Sequence, residues 1–202
     1  MHIYDEIRDL FPELAQVKNR EWADITCRIW QEVFDRSEWE SLDDIPFGIH
    51  MSGISLIEHT QAALQYALKM AEVMQQMHLC ETQIDLDILI ISCILHDVDK
   101  PLVTAPGKDG AIRVTDIGFD YQHGFYSAYY AEKHGLPASI VTLLIDHTDY
   151  SRLAPDSLEG MILIMADLSD AELLKFSKTG TSSLLKSLGK ESNRQKSRKQ
   201  KQ

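Results

Sequence analysis

The chain has 202 residues, with 20 Lys/Arg against 31 Asp/Glu and a formal net charge of −11. That mean hides a split: residues 1–174 hold 11 basic and 30 acidic residues, whereas residues 175–202 hold 9 basic and one acidic. A strongly acidic body repels a phosphate backbone, which argues against nucleic-acid binding by that body, and 44% hydrophobic residues exclude collagen-like, disordered and coiled-coil classes for most of the chain.

The opening residues Met1-His2-Ile3-Tyr4-Asp5-Glu6 lack the basic and apolar regions of a secretory signal, so none is expected. Residues 5–17 and 21–36 show helical spacing, with Trp22, Ile25, Ile29, Val33 and Phe34 on one side of the second. Asp43 to Gly53 contains Pro46, Gly48 and Gly53 and reads as a loop. A long helix is predicted from Ile54 to about His78, where Ala63, Ala67, Met70, Ala71 and Met74 keep a helical rhythm. Ile84 to about Val98 is apolar nearly all round, the mark of a central buried helix. Pro101 stops it. Its longest apolar run, Ile88 to Leu95, is far short of the roughly 20 residues a membrane span needs, so no membrane association is expected.

A short hairpin is predicted within 101–121, followed by a helix from near His123 to Gly135, where glycine suits a left-handed cap. The next helix starts at Pro137 and runs to about Asp146 or His147, and the last strong one spans 157–176. Asp156-Ser157-Leu158-Glu159 before it resembles a capping box. Beyond Thr179-Gly180 there is little to bury, and disorder is expected. The predicted fold is therefore all-α, about six or seven helices in all. A helical extension (1–53) packs on a helical domain (54–177), and a basic tail (178–202) follows. Three cysteines, Cys27, Cys80 and Cys93, show no CxxC spacing and read as reduced thiols of a cytoplasmic protein. Oligomeric state is not legible.

The histidines and aspartates are placed unusually. His96-Asp97 ends the most apolar helix, where charge is costly unless paired or metal-bound. His59 lies on the preceding helix, His123 opens a later one, His147 closes the next, and Asp167 follows the apolar stretch Met161 to Ala166. A packed bundle can converge five such elements on one point. Imidazole with carboxylate, and no thiolate placed to help, suits iron, manganese, zinc or nickel. Two divalent ions bridged by a carboxylate lower the pKa of a water between them and clamp a phosphoryl oxygen.

In order and context these residues resemble the HD-domain superfamily of metal-dependent phosphohydrolases. The carriers are His59 in Leu56-Ile57-Glu58-His59-Thr60, the pair in Leu95-His96-Asp97-Val98-Asp99-Lys100, and Asp167 in Ile164-Met165-Ala166-Asp167. His123 and His147 match the two histidines that binuclear members add, and the spacings are 37, 27, 24 and 20 residues. The resemblance spans roughly residues 54–176. It implies an HD-like helical bundle in which His59, His96, Asp97 and Asp167 hold one metal and Asp97, His123 and His147 the other, Asp97 bridging. Iron or manganese leads, with zinc, nickel or magnesium as alternatives. It further implies hydrolysis of a small phosphorylated substrate, a nucleotide or dinucleotide first among them, by a metal-bridging hydroxide. Lys100 would bind the substrate phosphate beside Asp97, and Arg152 is a second candidate anion contact.

One departure is Asp99, where relatives often have glycine; it either weakens phosphate binding at Lys100 or pairs with that lysine. Two other functions are compatible with these residues. One is a mixed-valent di-iron oxygenase of the same fold cleaving a C–C or C–P bond; the other is a non-catalytic nucleotide-binding regulatory module. Around the centre, Asp170 reads as a solvated or a supporting residue rather than a ligand, and Asp146 and Asp149 either orient His147 or merely add acidity. His50, His78 and His134 read as ordinary. Met70, Met74, Met77, Met161 and Met165 read as core packing, and Cys93 as a small buried hydrophobe. The basic tail reads as a solvated end, with weak contact to RNA or an acidic partner as the alternative.

Overall fold

The computed structural model describes residues 2–49, 53–77, 83–148 and 151–190. The readings of His50, His78, Cys80, Asp149 and the tail from residue 191 lie outside the described residues. Helix dominates, with one two-stranded sheet among the described residues.

The expected helix over 5–17 is cut in two. Helix α1 (Ile3–Leu10) stops before Pro12, which cannot donate to a carbonyl of the preceding turn, and Pro12–Gln16 tightens into a 3₁₀ turn. Helix α2 (Arg20–Asp35) starts at Asn19, whose side chain accepts the N–H groups of Glu21 and Trp22. Helix α3 (Leu56–Gln76) begins two residues later than predicted. There Ser55 and Glu58 cap each other's backbone reciprocally.

Helix α4 (Leu86–Leu95) is the buried centre, and it packs against α2 and α3. It ends sooner than predicted: His96 is its C-cap, and a turn leads into the short α5 (Lys100–Val103). The expected hairpin is present as β1 (Thr104–Pro106) antiparallel to β2 (Ile112–Val114), with Thr104 opposite Val114. A short α6 (Asp116–Asp120), capped by the Thr115 side chain, was not legible as a helix. Helices α7 (Phe125–Lys133) and α8 (Ala138–Asp146) pack on each other, and α9 (Leu158–Thr179) lies along α3. Helix α10 (Ser183–Ser187) falls in the segment expected to be disordered, and none of its residues is buried. No helix among the described residues is long and apolar enough to cross a membrane.

Two details differ from the sequence reading. Ser157, not Asp156, caps α9, through the Gly160 N–H. Glu159 does not complete a box; its carboxylate accepts the Asp85 N–H at 2.7 Å and so ties α9 to the start of α4. The methionines also divide. Met70 and Met74 pack against the core, whereas Met77, Met161 and Met165 are exposed. Helix α9 buries Ile162, Leu163, Ala166 and Asp170, and that phase turns positions 161 and 165 outward.

Both ends of α4 are fixed by the amino-terminal segment. Asp87 accepts the N–H groups of Lys18 and Asn19 at 2.9 and 2.8 Å. The buried Trp30 indole N–H donates to the Ile94 carbonyl at 3.1 Å, satisfying a helix-end carbonyl that has no partner within the helix. Trp30→Phe leaves that carbonyl unpaired and is expected to lower unfolding free energy by about 1–3 kcal/mol. Urea denaturation of the metal-free protein measures this, and an unchanged midpoint would contradict it.

Candidate metal centre

The bundle brings together all six residues singled out from the sequence. His59 sits in the first turn of α3, His96 and Asp97 at the end of α4, and His147 at the end of α8. His123 precedes Gly124, the N-cap of α7, and Asp167 lies midway along α9. His59, His96, Asp97 and His147 are buried; His123 and Asp167 keep about a quarter of their side chains exposed (27% and 21%).

Asp97 stands at the middle and divides its two oxygens. Oδ2 lies 3.5 Å from His59 Nε2 and 3.4 Å from His96 Nε2. Oδ1 lies 2.8 Å from His123 Nε2 and 3.8 Å from His147 Nε2. Asp167 Oδ1 approaches His59 Nε2 at 3.1 Å and His96 Nε2 at 4.0 Å. Two groups result, each compact enough to hold a cation: His59, His96 and Asp167, and Asp97, His123 and His147.

The donor chemistry fits cations. Each imidazole spends Nδ1 on an outward acceptor: His59 on Asp170 (2.7 Å), His96 on the Cys93 carbonyl (2.7 Å), His123 on Asp99 (3.0 Å) and His147 on the Leu144 carbonyl (2.9 Å). Those acceptors fix the N–H on Nδ1, so in the neutral rings four Nε2 lone pairs point inward. The Nε2 atoms of His59 and His96 face each other at 3.3 Å, and the buried His147 Nε2 has no hydrogen-bond partner among the described residues. Converging lone pairs with too few protons between them are what a divalent cation satisfies.

Burial and charge oppose each other at these groups. Burial raises the pKa of Asp97, but Lys100 with His96 and His123 overcomes it and holds the carboxyl well below the usual range. Asp167 is likewise held low against burial by His59. Burial works to lower the His123 value, yet Asp97 and Asp99 push it up to about 10. The same opposition, with Asp167 and Asp170 prevailing, raises His59. At His147 burial prevails and the value falls.

Lys100 Nζ pairs with Asp97 Oδ2 at 2.5 Å and lies 4.2 Å from the centre of the Phe47 ring. Phe47 stacks on His59, with centroids 3.6 Å apart. Its place was not legible, because it comes from backbone pairing in a loop: Phe47 N–H donates to the Ile54 carbonyl, and Pro46 bridges Ser55. Of the two readings of Asp99, pairing with Lys100 does not hold: Asp99 pairs with His123, and Lys100 with Asp97. Asp170 supports His59, as read from the sequence. Asp146 accepts from Ser151 and does not orient His147. Arg152 is exposed, with no partner among the described residues, and His134 makes an ordinary bond to Glu32.

The HD domain family model matches residues 56–172, more than half of the chain. A curated relative, the dihydroneopterin 2',3'-cyclic phosphate phosphodiesterase of Methanocaldococcus jannaschii, is 29% identical over 137 residues. The match covers 66% of this chain and 54% of the relative, so the chain spans about half that relative's length. No solved structure matches the chain.

A metal ion needs bare Nε2 atoms, whereas the neighbouring carboxylates favour the protonated form of His59 and, up to about 10, of His123. Their raised values mean that proton-linked stability is complete below the ordinary value of 6.5 and is lost as pH rises through about 10 at His123. Metal affinity is therefore expected to rise with pH across that window, and loading near neutral pH to release protons. Calorimetric titration in buffers of different ionisation enthalpy measures the release; a pH-independent affinity would contradict it.

Proposed function

The chain belongs to the HD-domain family, and on that premise we propose that it is a metal-dependent phosphohydrolase acting on a small phosphate ester. The observation that carries this reading is the Asp97 carboxylate, each oxygen facing its own pair of inward-pointing imidazoles, with Lys100 beside it. His59, His96 and Asp167 would hold one divalent cation, His123 and His147 the other, with Asp97 shared between them. Nitrogen and oxygen donors suit iron, manganese, zinc or nickel, and iron or manganese is the first choice for loading. Among the described residues, burial raises the pKa of the Cys93 thiol and keeps it protonated. When bound, the cations supply Lewis-acid charge and lower the pKa of a water molecule at the centre.

The chain's own groups do the rest. Asp97 and Asp167 enter already ionised, so no proton has to leave them when cations arrive. Lys100 is the mobile charge: its ammonium neutralises Asp97 in the metal-free centre and is free to meet a phosphate oxygen once cations take over that carboxylate. Phe47 holds the lysine's path by contact with the ammonium and covers one face of His59.

The organic part of the substrate has a place beside the centre. A groove of about 360 Å³ shares His123 with it and is walled by Phe125, Tyr129, Val141 and Ile145. Such apolar walls suit a flat organic group esterified to phosphate. The name of the archaeal relative supports a cyclic phosphodiester in the first substrate panel, alongside nucleotides and dinucleotides.

The manganese- or iron-loaded protein is expected to release product from at least one phosphodiester in such a panel. Asp97→Asn is expected to lower kcat/KM by about 100-fold or more, because it removes the charge both cations share, and even an outer partner of a metal ligand is worth about 10–100-fold. Lys100→Ala is expected to raise KM by about 10-fold or more, the worth of a charged hydrogen bond to phosphate. Steady-state kinetics with metal content measured on every variant tests both; no hydrolysis by the loaded wild type would overturn the reading.

A further inference from the structure

The four imidazoles are not held alike. His96 and His147 rest Nδ1 on carbonyls three residues earlier, Cys93 and Leu144, which the ends of α4 and α8 present anyway. His59 and His123 rest theirs on carboxylates brought from elsewhere in the chain, Asp170 and Asp99. Each compact group of candidate ligands thus contains one carboxylate-backed imidazole. A carboxylate on Nδ1–H makes Nε2 a stronger donor and fixes the ring plane.

Asp99 is the less expected of the two. It is fully buried, and a buried carboxylate is costly unless paired. Lys100 follows it in sequence but turns to Asp97. The charge of Asp99 is met instead by His123 Nδ1–H at Oδ1, 3.0 Å, and by the Gly124 N–H at Oδ2, 2.8 Å. Gly124 has φ +87, which turns its N–H back toward Asp99, and a Cβ there would lie 2.8 Å from Thr148 Cγ2 and 2.9 Å from the Leu144 carbonyl. The Asp99 N–H also reaches Ser127 Oγ at 3.3 Å, which donates to the His96 carbonyl. So the backbone is shaped to put this one carboxylate behind His123.

We infer that Asp99 is a positioning residue that sets the affinity of one cation position, the one His123 serves, while Asp170 does the same for the position His59 serves. This rests on the two-cation assignment made above, but not on the reaction assigned to it.

The test is a manganese(II) titration of the metal-free full chain, with free ion counted by electron paramagnetic resonance. Asp99→Asn, which keeps shape and removes charge, is expected to weaken one of two binding steps by about 10–100-fold and spare the other. Asp170→Asn is expected to weaken the other step. In a His123→Gln background, Asp99→Asn is expected to add little, because the ring through which it acts is gone. A purely structural role, through the Gly124 N–H, would persist in that background. Where Asp99→Asn fails to fold, Asp99→Ser keeps an acceptor without the charge and takes its place.

Unchanged affinities, equal weakening of both steps, or a full added effect on top of His123→Gln would overturn the inference. A wild type that takes up no second ion would also overturn it, since the position Asp99 serves would not exist. Two ions bound with the expected pattern but no ester cleaved would support it and sink the hydrolytic reading alone.

Discussion

A single buried carboxylate organises this molecule. Asp97 is 2% exposed, and its charge is tolerable only because an ammonium and four imidazoles surround it. Those partners come from α3, α4, α5, the turn before α7, and α8. The packing of the bundle is thus tied to the solvation of one side chain. If helices drift apart, Asp97 loses its partners; if it is neutralised, the imidazoles have no common anion to face.

This constraint explains why α4 is pinned so firmly. The helix is nearly uniform in apolarity and has no amphipathic phase of its own to set its rotation. Polar contacts at its ends supply what the core cannot: Asp87 to the chain entering α2, Asp85 N–H to Glu159 of α9, and the Ile94 carbonyl to Trp30. They fix rotation and height, and so deliver His96 and Asp97 to one point. Residues before α3 share one hydrophobic core with the helices that carry the candidate ligands.

The candidate ligands were legible because coordination restricts residue type, and a helix bundle restricts where such residues can stand. A histidine or aspartate at an apolar helical position is costly, and six of them in order have few explanations. What escaped depends on features with no periodic signature. Phe47 reaches the centre through loop pairing at Ile54 and Ser55. Asp99 meets His123 and the N–H of the left-handed Gly124 across 24 and 25 residues of sequence, a pairing with no local signature. Glu159 had a local role available and took a distant one. The methionines were judged by residue type, whereas helical phase decides which face they occupy: Met161, Met165 and Leu168 share the outward side of α9.

Charge gives the last step. Asp97, Asp99, Asp167 and Asp170 crowd into a centre with Lys100 as the neighbouring ammonium, inside a chain of net −11. Without cations such a place repels phosphate, and its carboxylates raise the pKa values of His59 and His123 against burial. Two divalent cations would offset that negative charge and reverse the sign of the local field. The same carboxylates that make the metal-free pocket hostile to a phosphate ester would then make it a selective one. The surrounding acidic surface still repels long polyanions, while a small ester needs to reach only the centre.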